Sequence, residues 1–177
     1  MTYLKIMKNK LFLLAILIYM TALPFSACKM SYSFTGAALD PAIKSFTVYT
    51  MQNRARLVNP NLAQLLTEGM IDRVNKQTSL QMLKEDGHLE FEGIISDYRV
   101  SPVNISSGDQ AAQSRLTVTV QVKFTNNIDH EEDWEKSFSS YVDFDANKML
   151  SEVEDEVCTE IITQLTEDIF NASIANW

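Results

Sequence analysis

The sequence predicts an α+β fold: a two-layer sandwich in which a mainly antiparallel four-stranded sheet carries two helices packed on one face. Three patterns predict it. From Leu116 to Phe124, apolar and polar side chains alternate without a break, the period of a half-buried strand. Two apolar stripes recur at helical spacing, one over 62–74 and one over 150–169. Consecutive strand patterns lie between those stripes, and strands segregated from helices belong to α+β proteins.

Taken in order, the first strand is expected over 45–51, with Phe46 and Val48 on one face and Thr47 and Tyr49 on the other. Asn59-Pro60-Asn61 supplies a capping Asn and a first-turn Pro, so a helix is expected over 60–77, striped by Leu62, Leu65, Leu66, Gly69, Met70 and Val74. A strand over 88–100 alternates Leu89 and Phe91 with Glu90 and Glu92, and Gly93 at its phase break suggests a bulge. A polar loop follows over 101–114. The next strand should turn Val118, Val120 and Val122 toward the helices. Asn126-Asn127-Ile128-Asp129 reverses the chain into a last strand over 133–144, with Trp134, Phe138, Val142 and Phe144 on one face and Tyr141 on the other. The final helix is expected over 147–174, striped by Leu150, Val153, Val157, Ile161, Leu165 and Ile169. Its first half holds Glu152, Asp155, Glu156 and Glu160, where the helix dipole favours negative charge.

Ahead of this domain, residues 1–27 have the form of an export signal. Lys5, Lys8 and Lys10 precede an apolar run of about 15 residues, shorter than the roughly 20 that span a bilayer. The small residues Ser26-Ala27 then lead directly to Cys28, as in a bacterial lipobox whose Cys is acylated and becomes the new N-terminus. Phe25 stands where Leu is usual, and a plain secretory cut after Ala27 would reach the same compartment without the lipid. Residues 28–44 follow as a tether and 45–177 as a single domain. Lys29-Met30-Ser31-Tyr32, directly after Cys28, carries no acidic residue.

Loss of the leader removes three lysines and leaves 12 basic and 23 acidic residues, net −11, which argues against nucleic acid as a partner. The charge is uneven: residues 28–128 hold 10 basic and 9 acidic residues, and 129–177 hold 2 and 14. With Cys28 acylated, Cys158 has no disulfide partner and is expected as a buried inert thiol. His88 sits at a turn, and His130 lies in the acidic turn Asp129–Asp133, which lacks the glycine and spacing of a calcium loop. No nucleophile elbow, P-loop, zincin or dinucleotide motif is present. No enzyme, cofactor or metal is therefore expected.

Several segments, in order, resemble the LptE family of lipopolysaccharide-assembly lipoproteins, in its Bacteroidetes form. They are Phe46-Thr47-Val48-Tyr49 with Asn53-Arg54, Leu62 to Leu80 containing Leu66-Thr67-Glu68-Gly69, Leu89 to Tyr98, Arg115 to Val120, Trp134 to Ser139, and Asn171 to Trp177. The resemblance implies an outer-membrane lipoprotein seated in the lumen of a large β-barrel partner, LptD, acting as plug and assembly aid and contacting lipopolysaccharide; in that bacterial group an acidic cluster after the Cys accompanies surface display, and its absence here implies the periplasmic side of the outer membrane. It implies no catalytic residue. A plug needs a polar exterior, because barrel interiors are polar. For a phosphorylated lipid, Arg54, Arg56, Arg99 and Arg115 are the candidate ligands, since guanidinium binds phosphate in a bidentate way. The alternatives are an envelope lipoprotein that binds another ligand or partner, and an enzyme with an unrecognised site.

Overall fold

The computed structural model describes residues 39–57, 59–103 and 112–175. The leader 1–27, Cys28, the tether as far as residue 38 and most of the loop expected over 101–114 lie outside the described residues. In chain order the elements are β1 (Ser45–Val48), β2 (Gln52–Asn53), α1 (Leu62–Gln77), β3 (Gln81–Met82), β4 (Leu89–Val103), β5 (Gln113–Asn126), a single 3₁₀ turn (His130–Glu132), β6 (Trp134–Asp145) and α2 (Leu150–Ser173).

The α+β class and the two helices agree with expectation, but the four-stranded antiparallel sheet does not. The sheet has six strands in the order β3-β1-β4-β5-β6, with β2 also beside β4. β1 runs parallel to β3 and to β4, and β2 runs parallel to β4. Only β4, β5 and β6 form the expected antiparallel meander. The parallel pairing follows from connectivity. The chain leaves β1 and β2, passes through α1 and returns to the sheet, and such a crossover delivers the next strand in the same direction.

β1 is shorter than the expected 45–51 and is buried on both faces. Thr47 has no exposed surface because the Asp86-Gly87 turn lies on it: the Gly87 N–H donates to Thr47 Oγ1 at 3.0 Å. A Cβ at Gly87 would come within 2.6 Å of the Phe46 carbonyl carbon, so no larger residue fits that approach. After Tyr49 the chain turns away, and the Met51 N–H donates to Thr67 Oγ1 of α1 at 3.0 Å. Gly93 is not a bulge. The register of β4 against β5 slips between Ile95 and Asp97 instead, around Ser96. Gly93 is small because Met51 Sδ would lie 2.3 Å from a Cβ there.

α1 begins at Leu62 rather than at 60. Asn59 does not cap it in the expected way; its Oδ1 accepts from the Asn61 N–H at 2.9 Å while its amide reaches α2. α2 begins at Leu150, where the Glu152 carboxylate accepts from the Met149 N–H at 2.9 Å and closes the helix start.

α1 buries Leu62, Leu66, Met70 and Val74, all expected. α2 buries Val153, Val157, Ile161, Leu165 and Ile169 as expected, leaves Leu150 partly buried, and adds Cys158, Ile162, Thr166, Phe170 and Ser173 to the stripe, because it touches both the sheet and α1. The helices meet at Gly69, where a Cβ would lie 2.8 Å from Ile162 Cγ2. Beneath them Leu116, Val118, Val120 and Val122 of β5 are fully buried, as the alternation predicts. Phe91, Phe124, Trp134 and Phe138 form a chain of rings with successive centroids 5.2, 5.4 and 5.7 Å apart. Lys136, on the same side of β6, holds its Nζ 5.0 Å from the Trp134 ring centroid.

Candidate functional site

The side of the sheet away from the helices carries the polar parity of β4, β5 and β6, and strand register arranges it in cross-strand rows. Glu92, Lys123 and Glu135 form one row, Asp97, Thr119 and Ser139 another, then Arg99, Thr117 and Tyr141, then Ser101, Arg115 and Asp143. Hydroxyls dominate between the charges; Thr119 and Ser139, for example, are hydrogen-bonded across β5 and β6 at 3.1 Å.

Charge on this face is largely spent internally. Lys123 Nζ donates to Glu92 Oε1 at 3.1 Å, and Arg99 to Asp97 Oδ2 at 2.7 Å. Arg115 makes the strongest arrangement: its Nε and Nη2 donate to the two Asp143 oxygens at 2.7 and 2.8 Å. Those bonds hold the Asp143 carboxyl below its usual range and the Arg115 guanidinium above its own. The Arg115 guanidinium carbon also lies 3.7 Å from the centroid of the Tyr141 ring.

The four candidate arginines are therefore not one cluster. Arg99 and Arg115 lie in adjacent rows of the sheet face, each already paired with a carboxylate. Arg54 follows β2, donates to Gln52 Oε1 at 2.8 Å, and lines a shallow cleft of about 490 Å³ with Tyr49, Glu92, Lys123 and Glu135. Arg56 is exposed one step further along. Among the described residues, neither Arg54 nor Arg56 meets a carboxylate. Cys28, the candidate lipidation site, lies outside the described residues.

Two groupings were not apparent in the sequence. The first is the Arg115–Asp143–Tyr141 stack. Once Phe124 is placed opposite Trp134, antiparallel register brings Arg115 opposite Asp143, so the hairpin alignment was the available signal. The second is a buried polar pin. Tyr98 Oη donates to Glu154 Oε1, and Asn59 Nδ2 donates to the same oxygen at 3.1 Å. Cys158 Sγ lies beside both, 3.9 Å from Tyr98 Oη and 3.8 Å from Asn59 Nδ2. Burial, then the Glu154 bond, pushes the Tyr98 phenol up, and burial pushes the Cys158 thiol up, so both stay protonated near neutrality. Cys158 is the buried, unbridged thiol that was expected.

His88 Nδ1 accepts from the Lys44 N–H at 3.1 Å, and His130 pairs with Asp133 at 3.0 Å. Among the described residues no group of three or more His, Cys, Asp or Glu could hold a metal ion. No described helix is long and apolar enough to cross a membrane.

The sequence profile of the LptE family, described as lipopolysaccharide-assembly, matches residues 43–173. The chain belongs to this family. LptE proteins act in lipopolysaccharide assembly without catalysis, as lipoproteins of the cell envelope. Two solved structures show the same fold, each at 11% identity, a TM-score of 0.50 and 76% coverage of this chain. One is a minor lipoprotein from Acinetobacter baumannii, covered over 95% of its length, and the other a hypothetical protein from Chlamydia trachomatis, covered over 99%. The rare lipoprotein B from Shewanella oneidensis is also similar, at 11% identity, a TM-score of 0.45, 71% coverage of this chain and 92% of its own. No curated protein is significantly similar in sequence.

Proposed function

We propose that this LptE-family protein is held on the periplasmic side of the outer membrane by acyl chains on Cys28. From there its domain plugs an LptD-like β-barrel and assists insertion of lipopolysaccharide into the outer leaflet. The observation that carries the plug is the exterior of the domain. An ordinary apolar core is wrapped by a broad polar sheet face and an acidic helical layer, the surface required inside a polar barrel lumen. Residues 1–27 serve as the signal and 28–44 as the tether that lets the domain reach the barrel.

Each acyl chain contributes about 0.8 kcal/mol per buried methylene, and more than one chain gives stable anchoring. Cys28→Ser should leave the protein uncleaved or soluble, and normal detergent partitioning of the variant would contradict the anchor. Lipopolysaccharide phosphates are met by the four arginines in unequal measure. Arg54 and Arg56 keep free charge, whereas Arg99 and Arg115 first have to leave Asp97 and Asp143. Charge reversal at Arg54 and Arg56 should therefore weaken lipopolysaccharide binding more than reversal at Arg99.

The central test is affinity capture from detergent-solubilised outer membrane, followed by labelling of surface lipopolysaccharide after depletion. A stable 1:1 complex with a barrel protein and reduced surface lipid are expected. Recovery of no barrel, with surface lipid unchanged, overturns the reading.

A further inference from the structure

We draw no further inference here: the strongest candidate, the shallow cleft between β2 and the outer face of β4, β5 and β6 lined by Tyr49, Arg54, Glu92, Lys123 and Glu135, belongs to the Arg54 site already described, and nothing in the structure shows which ligand would fill it.

Discussion

Removing one oxygen from the buried pin should alter stability in a way that depends on pH. In Tyr98→Phe the phenolic bond to Glu154 is lost while the ring keeps its place. Tyr98 is only 4% exposed, so water cannot take over the bond. A hydrogen bond to a charged acceptor contributes about 1.5–3 kcal/mol. Glu154 is half-buried and retains the Asn59 donor, which puts the expected loss near the lower end, about 1.5–2 kcal/mol. That is a large part of a typical stability of about 5–15 kcal/mol.

The sign at alkaline pH follows from the raised phenol pKa. The stability that Tyr98 contributes is fully present below its unfolded value of 10.0 and is lost as pH rises above it, because the unfolded chain ionises first. The gap between wild type and Tyr98→Phe should then shrink by about 1.4 kcal/mol per pH unit. Near pH 11 the two proteins should be almost equally stable. Urea denaturation followed by tryptophan fluorescence, at neutral pH and near pH 11, measures both gaps, and every other titrating group is common to the two proteins. A gap at pH 11 equal to that at neutrality would refute the argument that the buried bond and the raised pKa share one cause.

Other substitutions probe the face assignment, the helix crossing and the surface stack. Val120→Asp places a charge at a fully buried position and should cost several kcal/mol, whereas Thr119→Asp, one residue along on the polar side, should cost far less; equal melting temperatures would contradict the face assignment. Gly69→Ala gains about 1 kcal/mol of helix propensity but sets a methyl 2.8 Å from Ile162 Cγ2, and overpacking costs about 1–3 kcal/mol, so net destabilisation is expected in thermal melts; stabilisation would show that the helices part freely. Asp143, with its lowered pKa, contributes stability that is present above the usual carboxylate range and lost as pH falls through the folded value. Asp143→Asn should therefore flatten the acid limb of the stability curve below about pH 4, and an unchanged limb would show that the Arg115 pair adds nothing.

What could be read from the sequence followed the length of its patterns. β5 carries many repeats of one period, and its inner face was predictable residue by residue; in α2 the stripe through Val153, Val157, Ile161, Leu165 and Ile169 was predictable, and of the five further residues it buries only Cys158 was expected. β2 and β3 have two residues each, too few for any period, and they exist because β4 and β1 offer them hydrogen bonds. Their omission left four strands where there are six, and the parallel run of β1 beside β4 was missed because its direction is set by the crossover through α1 rather than by any local pattern. Gly93 misled because a glycine can answer a distant side chain, here Met51, as readily as a local bulge. The arginines were visible as residues, but their partners were not. Asp143 is 28 positions from Arg115, and only strand register joins them.

Lys136 has a further consequence. Among the described residues β6 pairs with β5 alone, so alternate residues along its 12-residue length point backbone donors and acceptors outward in ladder geometry. A protein tethered to a membrane meets its own copies at high local density, where an open edge invites strand-by-strand polymerisation. Another copy docking there would have to bury the Lys136 ammonium, which sits over Trp134 on the helix side of the strand. One inward-facing cation thus sets a desolvation cost against copy-to-copy pairing along this edge.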